Sequence, residues 1–468
     1  MSGLLSSLDS AVQALNSQSY AISISGQNVA NLDNPNYSEE SVVLGTESGG
    51  ASGVTVQGVT SSRNPLLDAQ VAAQTSVASS LTTQQQYLQT AQSVLGENLK
   101  NTSSSSSSTS TTTSTGTTGL SSDLDNFFNA FGSLAASPTS TAEKQAVFQQ
   151  GSILTNAFQQ TDANLAQVQS NLTSQAQSSV TDANQQLQTI ASLNGQIMAV
   201  GSSSPTTTAQ LCDEREAAVE KLAADIPITT TAKPNGSIQV SVSDTSNHTV
   251  VLVSGNTVTG PVAISGGAIT GGASASTLQI SSGSIYGALN ARDGAIQTLR
   301  TSLDSLANQI VTSVNAAYNP TSSPTGNFFN PSGTTAATIS LSGSLSASNL
   351  SAGTGAAGDN TTALAVAGVA NQTFSTAGGD AINGTIDQYY SGAVTNLGQT
   401  LSNVNNEVTN QNALLGLITS QRDSVSGVSM DQEMGNLMKY QSAYQASARV
   451  FSTIDVLLNT LITGTGSP

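Results

Sequence analysis

The chain has 468 residues and a formal net charge of −17, from 28 acids against 11 bases, with only 8% charged and 4% aromatic residues. Ordinary soluble domains carry about 25% charged residues, so this chain is polar without being charged. It also has no Lys or Arg in its first 62 residues, and so lacks the basic stripe that nucleic acid or an anionic lipid surface would need. At the front, Leu8, Leu15, Ile22 and Val29 recur every seven residues, with Ala11 and Leu32 in part of a second row. That spacing predicts one amphipathic helix with a narrow apolar stripe, ended by the Asn-Pro turn at Pro35. Residues 41–62 alternate weakly around Val54, Val56 and Val59 among Gly49, Gly50, Gly53 and Gly58, which predicts a short hairpin or an extended loop. From Asn64 the sevens return in Leu67, Leu81, Leu88 and Leu95, with Pro65 suited to a first helical turn.

Residues 103–115 are an unbroken run of Ser and Thr, which cannot bury enough apolar surface to offset its ordering entropy. A disordered loop over 101–119, open to glycosylation, is expected between two helices. Helical spacing resumes at Leu124, Phe127, Phe128, Phe131 and Leu134, continues from Ile153 to Leu172 and on through Leu187, Ile190, Leu193 and Ile197, and returns over about 209–224. After Pro227 the period changes to two, cut by Gly and Asn, and residues 227–284 are expected to form a small antiparallel β domain with Gly266-Gly267 and Gly271-Gly272 as hairpin turns. Ile296, Leu299, Leu303, Leu306 and Ile310 restore the helix. A Gly/Ser-rich, partly β segment is expected over 320–383, and the end is helical. There Met430, Leu437, Tyr444, Phe451 and Leu458 recur every seven, with Tyr440, Ile454 and Leu461 in a second row.

The fold class expected is mainly α: terminal coiled-coil helices (1–40 and 425–468), an elongated helical bundle (41–226, 285–319 and 384–424), and an inserted antiparallel β domain with an outer β-rich part (227–284 and 320–383). A single stripe on each terminal helix needs a partner. It can fold back on the bundle or pair between subunits; the scarcity of charge beside both stripes favours packing between subunits, because no ion is then desolvated.

Chemistry finds little to work with. One cysteine, Cys212, and one histidine, His248, exclude an internal disulfide and any zinc site built from several such ligands. No phosphate loop or nucleophile elbow is present, so neither cofactor nor metal is expected. Asp213 and Glu216 in the run CDERE could serve a glycosidase if they flanked a cleft, but on one helix at i, i+3 they read as a solvated face. Arg292 with Asp293, and Arg300 with Asp304, read as surface pairs. No stretch approaches the roughly 18 apolar residues of a membrane span, and a basic secretory n-region is missing, so export without a cleaved signal is the expectation.

The stretch ALNSQSYAISISGQNVANLDNPNYS (14–38) resembles the N-terminal motif of the flagellar rod, hook and hook-associated proteins, through Ala14, Leu15, Ala21, Ile22, Asn28, Val29, Ala30, Asn31, Asn34, Pro35, Tyr37 and Ser38. Residues 426–462 resemble the matching C-terminal motif. The interior segments LSSDLDNFFNAFGSLAASPTSTAEKQAV, ASLNGQI, LCDEREAAVEKLA, GALNARDGAIQTLRTSLDSLANQIVTSVN and NFF are similar to the hook-associated branch that builds the first layer between hook and filament. Lys144 stands where that family commonly has Arg, and the Ser/Thr tract is an insertion.

The resemblance implies a non-enzymatic structural protein, extracellular on the bacterial flagellum and exported by the flagellar type III route. Its partners would be further copies in a ring, hook protein, the next hook-associated protein toward the filament, and an export chaperone on the C-terminal helix, with no nucleic acid and no membrane insertion. Subunit packing would fall to Leu8, Leu15, Ile22, Asn28, Val29, Asn31, Asn34, Pro35, Tyr37, Met430, Leu437, Tyr440, Tyr444, Phe451, Ile454, Leu458 and Leu461. A hook or distal-rod protein is the alternative within the family, and a Ser/Thr-rich surface adhesin the alternative outside it.

Overall fold

The computed structural model describes residues 2–46, 53–96, 119–201, 204–321, 326–355 and 358–465. The Ser/Thr tract at 103–115 therefore lies outside the described residues. The chain divides into two compact units, one of residues 1–79, 178–284 and 410–468, the other of 80–177 and 285–409.

The first unit opens with α1 (Ser2–Ala30) and the antiparallel hairpin of β1 (Glu40–Thr46) and β2 (Val54–Ser61), bulged between Val43 and Leu44. It takes the start of α2 (Pro65–Val94), the end of α4 (Thr141–Val200) and all of α5 (Pro205–Asp225). Next come β3 (Thr229–Ala232), β4 (Ile238–Ser243), β5 (Thr249–Ser254) and β6 (Thr257–Val258) in one antiparallel meander, and β7 (Ala263–Ser265), β8 (Ala268–Gly271) and β9 (Ser276–Thr277) in another. The β7–β8 turn is the expected Gly-Gly turn: Gly266 and Gly267 have φ of 59° and 86°, which only glycine adopts without steric cost. The unit closes with the end of α9 (Ile386–Ser426) and with α10 (Met430–Thr465).

The second unit holds the rest of α2, α3 (Leu120–Ala136), the first part of α4, most of α6 (Gly283–Ala291), α7 (Gln297–Tyr318), α8 (Thr361–Val369) and the first part of α9. A five-residue π-helical stretch, Arg292–Ile296, joins α6 to α7. In this unit Phe127 and Phe131 of α3 meet Phe328 edge to face, Phe127 meets Phe329 at a tilt, and Phe128 packs edge to face on Phe127, with ring centroids 5.1–5.7 Å apart, so the NFF segment is a core anchor.

Two sequence expectations are corrected here. Residues 320–383, expected to be partly β, contain no strand among the described residues, only α8, a short 3-10 turn and isolated bridges that pair Phe329 with Leu341 and Phe374 with Gly384. Their apolar residues are too sparse to alternate, and Phe328, Phe329, Ile339, Leu350, Phe374 and Ile382 are buried as separate anchors. Arg300 pairs with the carboxylate of Asp162, at 2.8 and 3.0 Å, and not with Asp304, which accepts the Ala336 N–H.

The interrupted periodicity from Ile153 to Ile197 is one helix of 60 residues, α4. Ser140 caps it by accepting the Glu143 N–H. Its buried positions follow elevens: Leu154, Leu165, Ala176 and Leu187 in one row, Leu172, Ala183 and Asn194 in a second, Val168, Ser179 and Ile190 in a third. Eleven residues over three turns gives 3.67 per turn, close to the helix's own 3.6, so the row drifts little and the helix needs no left-handed supercoil. The many hydroxyls on helix surfaces fold back on the carbonyl four residues earlier, as at Thr90, Thr189, Thr301, Thr400 and Thr463, which is how Ser/Thr-rich helices satisfy those groups.

Candidate assembly site

α1 and α10 pack on each other, and β1 and β2 lie against α1. The seam is not centred on the large residues of the sequence heptads. On α1 the buried row is Ala11, Ser17, Ala21, Ile24, Ser25 and Asn28, while Leu8, Leu15, Ile22 and Val29 sit half-buried along its edge. On α10 Ile454 is buried, Leu437, Tyr440, Phe451 and Leu458 are half-buried, and Met430, Tyr444 and Leu461 are exposed. On α1 the buried residues are small or polar, and Ser17 and Asn28 among them bond Val54 and Glu40 of the hairpin, whereas the buried and half-buried positions of α10 include large side chains. Further apolar groups stay open: Leu5 and Val12 on α1, and Met434, Met438, Val450, Val456 and Leu457 on α10, with Met438 62% exposed.

Below the helix pair the two terminal segments run through one polar collar. Asn28, 1% exposed, turns its side-chain amide to the backbone of Glu40: Nδ2 donates to the Glu40 carbonyl at 2.9 Å, and Oδ1 accepts the Glu40 N–H at 3.1 Å and the Tyr37 hydroxyl at 2.7 Å. One asparagine thereby stands in for a strand and fixes where β1 begins. Asn31 donates to the Gln27 carbonyl and caps α1, and the exposed Asn34 turns the chain by accepting the Asn36 N–H and, through its carbonyl, that of Tyr37. The Pro35 carbonyl accepts a bond from Arg422 of α9 at 3.0 Å, and the Glu39 N–H donates to the Ser426 carbonyl at 2.8 Å. The link leaving α1 and the link entering α10 are therefore bonded to each other.

Two arginines hold the collar together. Arg63 donates to Asp213 at 2.7 Å, to Asp68 at 3.2 Å and to the Asn36 carbonyl at 2.9 Å. Arg422 pairs with Glu220 and Asp423. Around them burial raises carboxylate pKa values: Glu40 is pushed up to about 7 by burial and then by the Asp213 charge, and Glu216 to about 7 by burial and then by the Asp68 charge. Burial also pushes up the Tyr37 phenol, with Glu40, Asp213, Glu433 and Glu39 adding to it.

The expected solvated face of Asp213 and Glu216 is thus a correction: Asp213 is tied to Arg63, and neither carboxylate is exposed, because α5 packs against β2 on that side. They also open onto different cavities. Glu216 lines one of about 490 Å³ with Val59, Cys212 and Arg215, and Asp213 one of about 440 Å³ with Asn31, Tyr37 and Gln210. Neither of these two cavities is lined by both carboxylates, as a glycosidase cleft would be. Cys212 is half-buried with Arg215 at 3.7 Å, burial raises its thiol pKa, and His248 is an exposed turn residue beside Asp244. Among the described residues no helix is long and apolar enough to cross a membrane, and no group of three or more His, Cys, Asp or Glu could hold a metal ion.

Sequence reading missed the recurrence of the Asn28 arrangement. Asn184 pairs in the same two-bond way with Val262, Asn194 with Ile238 and Asn315 with Phe329. The available signal was an asparagine, a poor helix former, on an apolar helix face, as where Asn194 falls between Ile190 and Ile197.

Residues 106–328 match the family model described as the flagellar hook-associated protein FlgK helical domain, and 419–463 the one described as the flagellar basal body rod FlgEFG protein C-terminal. The chain is similar to flagellar hook-associated protein 1 of Bacillus subtilis, 35% identical over 116 residues, which is 24% of this chain and 22% of that one. It is similar also to flagellar hook-associated protein 1 of Salmonella typhimurium, 35% identical over 80 residues, 17% of this chain and 14% of that one. Each match spans less than a quarter of the relative's length. The structure of the flagellar hook junction protein FlgK from Burkholderia pseudomallei superposes with a TM-score of 0.61 at 14% identity, covering 76% of this chain and all of that one.

Proposed function

We propose, from the match of residues 106–328 to the FlgK helical domain and of 419–463 to the rod C-terminal model, that the chain is a member of the flagellar hook-associated protein 1 family and forms the junction layer between hook and filament. Copies assemble in a ring, with α1 and α10 of each copy building the inner wall, the helical bundle outside it and the β meanders outermost. Hook subunits lie below, the next hook-associated protein above, and an export chaperone holds α10 before assembly. The role is structural, without catalysis, on a flagellum outside the cell.

The observation that carries this reading is the helix pair itself. α1 and α10 pack on each other and leave Leu5, Val12, Met434, Met438, Val450, Val456 and Leu457 exposed. So much open apolar surface on two adjoining helices marks a protein interface. Its test is electron microscopy of a deletion strain with an assay of the medium for filament subunit. Hooks without filaments and subunit lost to the medium are expected. Missing hooks would move the protein to the rod or hook, and intact filaments would leave an adhesin.

Leu437→Asp puts a charge into the half-buried seam and is expected to weaken docking of α10 by about 2–3 kcal/mol and to abolish filament attachment. Normal swarming of that strain would remove the inner-wall assignment.

A further inference from the structure

The open face of each terminal helix carries a charge among apolar side chains, and the two charges are opposite. α1 has a single charged residue, Asp9, which falls in one row with the exposed Leu5 and Val12, four residues before it and three after. On α10, where each residue turns the helix by about 100°, Arg449 lies within about 60° of the exposed Met434, Met438 and Val456. Each row is on the far side of its helix from the buried residues, Ala11 and Ala21 on α1 and Ile454 on α10.

The two charges also stand at one level. α1 runs into the collar and α10 runs out of it, with Asn28 bonded to Glu40 and Glu39 bonded to Ser426, so the packed helices are antiparallel. Asp9 lies about 19 residues from Asn28 and Arg449 about 19 from Met430, which at 1.5 Å per residue puts each about 28 Å from the collar. Lys439, the other base of α10, is about 15 Å nearer the collar. Among the described residues neither Asp9 nor Arg449 is in an ion pair; Asp9 accepts a bond of 3.3 Å from Gln13.

We propose that the α1 row of one copy docks on the α10 row of the next, and that Asp9 paired with Arg449 across that contact sets how the two copies register along the helices. This rests on the ring arrangement proposed above and names a contact within it. A second copy is the occupant because the chain itself supplies both halves, an apolar row with an acid and an apolar row with a base at the same level. The halves differ, so the contact is head to tail, the kind that closes into a ring. Copies turned about an axis along the helices stay level, and groups at one height meet. Apolar rows alone can slide past each other. An exposed ion pair adds little affinity but opposes sliding, because a shifted register sets each charge against apolar side chains.

Disulfide trapping tests the contact. In a strain whose only copy carries D9C and R449C, with the native thiol removed by C212A, a mild oxidant is expected to produce a ladder of covalently joined copies on a non-reducing gel. A bond within one copy would give no ladder. D9C/K439C in the same background should give none, since a disulfide needs Cα atoms within about 7 Å. Charge reversal is the second measure: D9R and R449D should each lower the fraction of cells bearing filaments, and D9R/R449D should restore it. Both positions are exposed, so the single chain tolerates these changes. No ladder from D9C/R449C, an equal ladder from the control, or no restoration in the double reversal overturns the pairing. Filaments on cells that give no ladder would leave the junction role standing without the pair. A ladder in a protein whose deletion leaves filaments intact would keep the pair and remove the junction role.

Discussion

Asn28→Leu is expected to cost the chain about 4 kcal/mol in urea unfolding, and a strain carrying it should lose its filaments. The substitution keeps the volume but strips partners from the Glu40 N–H, the Glu40 carbonyl and the Tyr37 hydroxyl, all in the collar. An unsatisfied buried polar group costs about 1–3 kcal/mol, and Tyr37 can turn part of the way to water because it is only half-buried, so the sum falls below the simple maximum. Asn34→Ala is the control, since Asn34 is exposed and change there should stay within about 0.5 kcal/mol. A loss below about 1 kcal/mol for Asn28→Leu would mean that the start of β1 is held by something else.

The second large effect belongs to the other unit. Phe131 is fully buried and meets Phe127 and Phe328 edge to face, each at a centroid distance of 5.3 Å. Phe131→Ala is expected to destabilise the protein by about 3–5 kcal/mol through the lost transfer energy and the cavity left behind. Phe131→Leu should recover most of that, with a remaining cost of about 1–1.5 kcal/mol. Chemical denaturation of the two variants beside the parent decides it; equal losses would show that ring edges matter there and volume does not.

Much of the helical framework was legible because helices announce themselves by spacing. Pro65, Pro227 and the apolar rows of α2, α5 and α7 placed their elements within a few residues. The register of the terminal helices was less legible. Counting large apolar residues selects Leu8, Leu15, Ile22 and Val29, whereas the chain buries Ala11, Ser17, Ala21 and Asn28, the two polar ones because they bond the backbone of Val54 and Glu40, contacts that hydropathy does not count. The collar was the least legible. Asn28 and Tyr37 stood out through the family resemblance alone and Pro35 only as a helix stop, and the bonds of Asn28 and Pro35 to Glu40 and Arg422 join segments up to 387 residues apart. The run CDERE resembled a charged surface because Arg63, the partner of its Asp213, is likewise distant in sequence.

The four helix asparagines hold Glu40, Val262, Ile238 and Phe329 by peptide groups alone. A clip that grips the main chain is blind to the side chain of the residue it holds, so an acid, two aliphatics and an aromatic are all acceptable in its jaws. Mutation can therefore rewrite the clipped loops while their points of attachment stay put, provided that the asparagines remain. The clip asparagines carry no group that titrates, so they add no proton dependence of their own.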